Sequence, residues 1–417
     1  MSLNFHYLSR RSWALPRSIV SVLFGVLVFG ISASGTWAQG TQGGSESLPN
    51  EKALFQASSN RFDNLGLLYK SDKNELVQEL WLLGRYHGQY YWARGTEGDA
   101  NDFESRRVRF GGQARLFEKL TLHVQSISGS DFDPVYNGFT EMWAQWAFTP
   151  QFAVTVGQQK HRFTHDRNVS SRYLNYLERA MLTNMFGADY TPAVTIQGTV
   201  GKLAYYSGIF SNGTGTDIGS AFTELNSGHS FLGAAYYNLG EGILGTDTAH
   251  LHATFVNSEA NQRSSNLSRF NNGFSSALIL TQGSLSLVTE ATAGIGSEDG
   301  HAHGLNIQPG WFITNALQLV GRYQFAFSNE EEGLSPQRRY EQPAQLPKGD
   351  QYQAGYLGLD YYIAKHRLKI MHGIEYATMG GENVWTSSVM IRFYFGPHSG
   401  GAFPMNQMLP GTFWESD

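Results

Sequence analysis

The chain has no cysteine among its 417 residues. This absence excludes disulfide frameworks, thiolate metal sites and cysteine nucleophiles. Charge is also scarce, since Asp, Glu, Lys and Arg make up 16% of the chain, whereas typical proteins contain about 25%. Disordered chains are usually highly charged, so this shortage argues against disorder. The mean hydropathy is negative, which excludes a protein that crosses a membrane with several apolar helices.

Long apolar runs are scarce as well, and the clearest one lies near the start of the chain. It covers residues 19–31, after three arginines and before the small residues that end at Ala38. A basic region, a short apolar stretch and a small-residue cleavage site are typical of a secretory signal peptide. A single transmembrane anchor is the alternative, but the run is shorter than the roughly 20 residues that a helical span needs. We therefore predict that residues 1–38 are a signal peptide.

Glycine and aromatic residues are abundant instead, with 47 Gly, 27 Phe and 21 Tyr. They occur in segments where apolar and polar residues alternate. Val108, Phe110 and Leu116 share one face of such a segment, and Arg109 and Arg115 lie on the other face. Alternation sustained over about ten residues predicts a strand that separates an apolar from a polar environment, as transmembrane β-strands do.

Sixteen segments with this alternation follow one another. They cover residues 81–94, 105–117, 119–128, 138–148, 151–161, 193–200, 202–211, 229–239, 248–257, 273–282, 284–295, 302–312, 316–328, 351–363, 367–378 and 384–395. Short connections alternate with longer ones, of which 162–192, 212–228 and 329–350 are the longest. A soluble β-sandwich would have shorter strands and no such alternation of connections. Closed outer-membrane barrels show both features, because lipid cannot hydrogen-bond a free strand edge.

We therefore predict an all-β fold, a transmembrane antiparallel β-barrel of about 16 strands over residues 81–395. Residues 39–80 are predicted to form an N-terminal periplasmic or plug-like segment. Residues 396–417 are predicted to be a C-terminal extension, because their prolines and glycines break strands. A barrel of this size is too wide for its own side chains to fill, so its lumen should hold water.

The third long connection, residues 162–192, is too long for an ordinary loop. A helical pattern follows Ser170 and Ser171 and comprises Tyr173, Tyr176, Leu177 and Ala180. We predict a short helix in this loop. The loop could cover the barrel from outside, or it could fold inward and narrow the bore. In the second case Arg172, Glu178 and Arg179 would face the permeating solute.

The second predicted strand places arginines on its polar face. Arg107, Arg109 and Arg115 alternate with apolar residues, and Arg106 lies beside them. Guanidinium groups in such a ladder suit phosphate or carboxylate. The alternative is electrostatic balance with acidic groups such as Glu141. Without the signal peptide the chain loses three of its 30 basic residues and none of its 35 acidic ones, so its net charge becomes −8. That value cautions against strong anion selectivity, although net charge does not define the field inside a pore.

Three motifs in order resemble the phosphate-selective porin family, the porin O and P type. They are Arg106-Arg107-Val108-Arg109-Phe110-Gly111-Gly112, then Val156-Gly157-Gln158-Gln159-Lys160 with Phe163, then Glu178-Arg179-Ala180. The resemblance implies a sixteen-stranded outer-membrane porin, typically a homotrimer, whose third loop folds inward and whose lumen cations pass phosphate, polyphosphate or other anions. By motif position Lys160 would lie where the fifth predicted strand enters the third loop. Porins of this kind normally end on an aromatic residue, here Phe395, whereas this chain continues to Asp417.

Other chemistry has little support in the sequence. His250 and His252 are two residues apart on one strand face, which could hold a metal, but we identify no third ligand. The chain after residue 38 has no nucleophile elbow, phosphate loop or dinucleotide fingerprint. No basic run suggests nucleic acid. We predict neither an enzyme nor a bound cofactor.

The sequence thus predicts an outer-membrane porin in a Gram-negative envelope, surrounded by lipid, that forms a water-filled channel for passive diffusion of small solutes. Anions such as phosphate or polyphosphate are the expected solutes. The candidate solute-binding residues are Arg107, Arg109, Arg115, Lys160, Arg172 and Arg179. The alternative is a barrel with a structural or surface-anchoring role and no specific transport.

Overall fold

The computed structural model describes residues 62–186, 190–213, 217–223, 228–258, 270–296 and 300–397. The predicted signal peptide lies outside the described residues. So do residues 39–61 of the predicted N-terminal segment and residues 398–417 of the predicted extension.

The described residues form seventeen β-strands, and neighbouring strands pair antiparallel. The strands are β1 (Leu67–Lys70), β2 (Val77–Gly95), β3 (Asp99–Leu116), β4 (Leu120–Ile127), β5 (Phe139–Thr149), β6 (Phe152–Lys160), β7 (Tyr190–Val200), β8 (Leu203–Ser211), β9 (His229–Asn238), β10 (Thr248–Ser258), β11 (Asn272–Gln282), β12 (Leu285–Ile295), β13 (Ala302–Phe312), β14 (Leu317–Ser328), β15 (Gln351–Ala364), β16 (Leu368–Met379) and β17 (Glu382–Phe395).

Sixteen of these strands, β2 to β17, form the wall of a closed barrel. Each pairs with its neighbours in sequence order, and β17 closes the ring by pairing with β2. That last pairing runs from Val384 opposite Gly95 to Phe395 opposite Gly84. The predicted antiparallel barrel is therefore confirmed. The largest differences in strand bounds are at β2 and β3, which start four and six residues earlier than predicted.

The two faces of the wall differ as the alternation predicts. On β15, Tyr352, Tyr356 and Asp360 are buried on the inner face, whereas Leu357 and Tyr361 are 60% and 49% exposed on the outer face. Apolar side chains on the outside contact lipid, and polar side chains on the inside face the lumen or the loops within it.

The two rims of the barrel carry different connections. At one rim the strands are joined by short turns, such as residues 117–119, 201–202 and 283–284. We call this the turn rim, which is periplasmic in barrels of this type. At the other rim, the loop rim, lie the long connections 161–189, 212–228 and 329–350. Two connections at the loop rim are short because the flanking strands extend further than predicted, namely residues 96–98 and 380–381.

Strand β1 lies outside the ring of sixteen and lengthens the wall at the turn rim. It pairs only with the first residues of β2, with Leu67 opposite Trp81 and Lys70 opposite Glu79. There β17 has already ended, and Gly396 donates its N–H to the carbonyl of Leu65 at 3.0 Å. Residues 67–70 and 77–80, predicted within the N-terminal segment, thus contribute to the sheet.

Between the strands, the helical segments that the structure describes are short. Helical turns cover His165–Asn168, Met181–Phe186 and Ser220–Thr223, and 3₁₀ turns cover Ser130–Phe132 and Ile243–Gly245. Among the residues that the structure describes, no helix is both long enough and apolar enough to cross a membrane.

Candidate functional site

The third loop, residues 161–189 between β6 and β7, folds into the bore. The carbonyl of Leu174 accepts hydrogen bonds from Lys369 Nζ at 2.6 Å and from Arg392 Nη1 at 2.7 Å. Both donors lie on the inner faces of β16 and β17, across the barrel from the start of the loop. Of the two placements that the sequence allowed, the structure has the inward one.

The same loop reaches the turn rim. The ring of Tyr173 packs edge-on against His366, in the turn after β15, with centroids 5.2 Å apart. Arg172 Nη1 donates to the carbonyl of Pro397, just beyond β17, at 2.9 Å. The loop therefore runs along the lumen rather than across its entrance alone.

The helix predicted in the third loop is present, but not where the spacing placed it. Residues 171–178 form turns and bends, and the helical turns His165–Asn168 and Met181–Phe186 flank them. The reason is competition for carbonyl groups. The carbonyls of Leu174, Tyr176 and Leu177 accept from wall cations, which replaces the bonds that a helix would make to N–H groups four residues on.

The seventh loop, residues 329–350 between β14 and β15, also folds inward and meets the third loop. Gln337 accepts from Asn184 Nδ2 at 2.8 Å and donates to the carbonyl of Arg179 at 2.8 Å. Tyr340 donates from its hydroxyl to Gln89 on β2 at 3.1 Å. Two loops thus occupy the lumen together.

The three predicted ladder arginines lie on β3 but have separate surroundings. Arg109 is buried and donates to the hydroxyl of Tyr190 at 2.8 Å. Arg107 lies 3.3 Å from Nδ1 of His87. Arg115 lies at the turn rim, where its half-exposed side chain contacts Glu79 at 3.4 Å. Arg115 comes six positions after Arg109 in the strand, about 20 Å along it, so the structure does not bring all three together.

Arg106 has a larger role than its sequence position suggested. The pairing of β2 with β3 slips by one residue between His87 and Gly88, so Arg106 is the extra residue of a β-bulge. Its side chain forms a bidentate ion pair with Glu178 of the third loop, with Nε 2.6 Å from Oε1. Both side chains are buried. Alternation alone cannot reveal this pair, because the bulge changes which face a residue occupies.

The remaining candidates divide into two places. Lys160 Nζ and Arg179 Nη2 both donate to the carbonyl of Val169, at 3.3 and 2.7 Å. Arg179 also lies 3.7 Å from Asp166. Arg172 lies apart from them, at the turn rim. Lys160 is the last residue of β6, as the motif position implied.

Sequence reasoning missed several cations of the inner wall. Arg85 donates to the hydroxyl of Ser171 at 2.5 Å, and Arg322 pairs with Glu375 at 2.8 Å. Lys369 lies 3.5 Å from Asp360. The signal that could have found them is their position on the polar face of a predicted strand, since every such residue faces the lumen.

Burial and neighbouring cations act in opposite directions on the loop carboxylates. Burial alone would raise the pKa of Glu178, but Arg106 and Arg339 hold that pKa below its ordinary value. For Glu341 of the seventh loop, burial and the nearby Glu375 carboxylate outweigh the opposing effect of Arg322 and raise the pKa to about 8. The surroundings therefore favour the ionised form of Glu178 and the protonated form of Glu341.

The histidines considered as metal ligands lie on the inner face of β10. His252 Nε2 is 2.7 Å from the hydroxyl of Thr254 and 3.3 Å from Nδ2 of Asn168. In the described part of the chain, no three His, Cys, Asp or Glu side chains are grouped so that they could hold a metal ion.

Comparison with known proteins gives one family and a set of similar folds. A sequence model of the family "phosphate-selective porin O and P" matches residues 83–379. No curated protein matches the sequence.

Three solved structures illustrate the similarity of fold. Salmonella typhi OmpF in complex with daunomycin has a TM-score of 0.55 and 10% identity, covering 78% of this chain and 100% of that one. An anion-selective porin from Comamonas acidovorans has a TM-score of 0.54 and 11% identity, covering 76% and 99%. Pseudomonas putida OprB has a TM-score of 0.53 and 11% identity, covering 76% and 94%. At these low sequence identities, the similarity concerns only the barrel fold.

Proposed function

Because the chain belongs to the phosphate-selective porin O and P family, we propose that it passes small anions, phosphate or polyphosphate among them, through the bore of its barrel. The family and the fold identify it as a channel for small solutes in a Gram-negative outer membrane, and not as an enzyme. The anion preference, the residues that carry it and the trimeric state are the proposed part.

The observation that carries the proposal is the kind of acceptor that the inner cations use. Arg85 donates to a hydroxyl, and Lys160 and Arg172 donate to backbone carbonyls. Arg392 donates to three carbonyls of the third loop. A neutral acceptor satisfies a donor without cancelling its charge, so these groups contribute uncompensated positive charge to the lumen.

Part of this charge gathers around one carboxylate. Glu141 on β5 interacts electrostatically with Arg109, Lys160 and Arg162, and Arg85 interacts with Arg109 and with the same carboxylate. Four cationic groups around a single acid leave an excess of positive charge. Anion pores use such Arg and Lys groups, which bind a passing anion weakly enough to release it.

The proposal assigns roles to the candidate residues. Arg109 and Lys160 would guide the anion near Glu141, together with Arg85. Arg107 and Arg179 would contribute to the same field from neighbouring positions. Arg115 and Arg172 would act at the turn rim, where the solute enters or leaves.

Further parts of the proposal concern assembly. We propose that residues 1–38 are removed during export as a signal peptide. Residues 39–61 would belong to the N-terminal periplasmic or plug-like segment, and residues 398–417 to the C-terminal extension. Three copies of the chain would associate in the membrane. The last point is what the sequence resemblance implies for this kind of porin.

The test is the reversal potential of the purified channel in planar bilayers under a KCl gradient. The parent channel should prefer chloride to potassium, and phosphate should reduce the chloride current. Replacing Arg85, Arg109 and Lys160 by Gln should lower the anion-to-cation permeability ratio and weaken block by phosphate. The matched control replaces three exposed lysines, Lys70, Lys119 and Lys202.

The control variant should keep the parent's ratio, because exposed charges at the turn rim are screened by salt. A parent channel that prefers cations would refute the anion proposal and leave the porin fold intact. A folded barrel without conductance would favour the structural or surface-anchoring alternative.

A further inference from the structure

Glu178 lies where the two inward loops and the wall meet. Its carboxylate accepts two hydrogen bonds from Arg106 of β3. Arg339 of the seventh loop places its Nε 3.9 Å from the same carboxylate. The backbone carbonyl of Glu178 accepts from Arg322 of β14 at 2.6 Å. One residue of the third loop thus contacts two wall strands and the other loop.

The arginines around Glu178 differ in what else they contact. Arg322 also pairs with Glu375, and Arg339 also pairs with Glu104 at 2.9 Å. Arg106 directs two nitrogens to Glu178, and its third, Nη1, is buried without a partner. The carboxylate of Glu178 is therefore the main counter-charge for Arg106 and a shared one for Arg339.

We propose that Glu178 is a positioning residue that holds the third and seventh loops together and withholds Arg106 and Arg339 from the permeating solute. The proposal rests on the proposed function, since it concerns a lumen that passes anions. In it, Glu178 limits both the width of the lumen and its attraction for anions. Glu178 acts through the arginines and does not itself touch the anion.

The physical consequence of losing Glu178 follows from the cost of a buried, unpaired charge. With the carboxylate replaced by an amide, Arg106 keeps at most a weak acceptor, and a buried guanidinium without a counter-charge is strongly disfavoured. Arg106 would then turn towards water in the lumen, and Arg339 would lose one of its two carboxylates. The channel should become wider at this level and more positive.

The experiment compares Glu178→Gln with the parent by single-channel conductance and reversal potential. We expect both the conductance and the anion-to-cation permeability ratio to rise. The matched control is Glu290→Gln. Glu290 on β12 also anchors the third loop, but through the backbone N–H groups of His165 and Asp166 and the hydroxyl of Ser275.

The control removes one buried carboxylate without releasing an arginine, so its effect on both readings should be smaller. The double variant, with Arg106→Gln and Glu178→Gln together, lacks the released guanidinium, so its permeability ratio should return towards the parent while its conductance stays raised. A merely structural role for Glu178 would leave the permeability ratio of the double variant equal to that of Glu178→Gln.

Should Glu178→Gln fail to fold, Arg339→Gln provides the second test. Arg339 is partly exposed, and its loss separates the seventh loop from Glu178 without leaving an arginine unpaired. We expect its conductance to exceed that of the parent. The proposal is overturned by equal readings for Glu178→Gln and Glu290→Gln, by equal permeability ratios for Glu178→Gln and the double variant, or by an unchanged conductance for Arg339→Gln.

These readings are independent of the proposed anion preference. A parent that prefers cations would refute the proposed function. The changes caused by the Glu178 variants, measured relative to that parent, would still decide whether Glu178 holds the two loops together.

Discussion

At the scale of single residues, Gly111 interrupts, together with Gln113, the row of arginines on the inner face of β3. It occupies the inner-face position that follows Arg109. An ideal Cβ at Gly111 would lie 2.0 Å from the carbonyl oxygen of Val124 on β4. A backbone oxygen cannot rotate away as a side chain can, so no larger residue fits unless the two strands separate.

We expect Gly111→Ala to destabilise the barrel by about 1–3 kcal/mol, the usual range for overpacking. The measurement is the temperature at which the folded, faster-migrating band on a gel converts to the unfolded one. Gly112→Ala is the control, because the nearest atom to its Cβ, the carbonyl oxygen of Trp81, is 3.4 Å away. Equal transition temperatures for the two variants would show that the close approach of β3 and β4 is not limiting.

Glu341 gives a prediction of pH dependence. Its carboxyl contacts the hydroxyl of Tyr352 at 2.7 Å and the N–H of Gln337 at 2.6 Å. Since burial and Glu375 raise its pKa from 4.5 to about 8, the protonated form favours the inward loop. That stabilisation is complete below the ordinary carboxyl pKa and is lost progressively as the pH rises to about 8.

We therefore expect the seventh loop to open more often in alkaline solution. Hydrogen exchange of residues 337–346, corrected for the intrinsic effect of pH, should show less protection at about pH 9 than at about pH 6. Glu341→Gln should remove most of this difference. A parent loop with equal protection at both values would contradict the assignment.

Away from the bulge at Arg106, the polar face of a strand could be predicted residue by residue, because the period of two is a local property of the backbone. Arg109, Arg322 and Arg392 all lie on the inner face as alternation indicates. Their partners could not be predicted. Glu178 and Leu174 belong to the third loop, and its path through the lumen is decided by contacts far apart in sequence.

At the scale of elements, strands were easier to predict than the loop helix. A strand in the wall has water or polar groups on one side and lipid on the other. Its sequence therefore alternates between polar and apolar residues. The spacing of Tyr173, Tyr176, Leu177 and Ala180 imitates a helix for a different reason. These residues are all buried inside the barrel. They are apolar because this part of the loop is enclosed, and their helix-like spacing is accidental.

The third loop also supports a prediction about conductance. Deleting residues 171–178 removes the segment whose carbonyls bind Lys369 and Arg392, and with it the part that reaches the turn rim. We expect the single-channel conductance to rise, because less of the bore is occupied. The control deletes residues 132–136, five exposed residues of the second loop, which covers residues 128–138 between β4 and β5. It should leave the conductance near that of the parent.

A conductance unchanged by the first deletion would mean that ions do not pass beside this segment. A fall in conductance would mean that the seventh loop moves into the vacated space. In both cases the folded state should be verified first by its migration on a gel.

At the scale of the whole molecule, closure of the ring could be predicted because a sheet in lipid cannot have an edge with unpaired strands. Strand β1 could not be predicted. It has four residues without alternation, and its role depends on where β17 ends, more than 300 residues later. At that place β2 extends seven residues beyond its pairing with β17, over residues 77–83. β1 covers part of this overhang, and Phe62 packs edge-on against Phe393.

We expect deletion of residues 62–73 to lower the temperature at which the barrel opens, because it leaves the overhang of β2 with unpaired backbone groups. Gel migration after graded heating measures this. Leu68→Ser is the control, since Leu68 is 63% exposed and its side chain contributes little to the seam. An unchanged opening temperature after the deletion would make β1 dispensable for closure.

The position of β1 has a consequence for the order in which the barrel is built. β1 and β2 are neighbours in the chain, so their hairpin can form long before β17 is available, and it leaves residues 84–95 of β2 open. Those are the twelve positions that β17 pairs with. A last strand displaced towards the turn rim would collide with β1. The hairpin of β1 and β2 therefore sets the register at which β17 can pair, and it can do so before β17 is available.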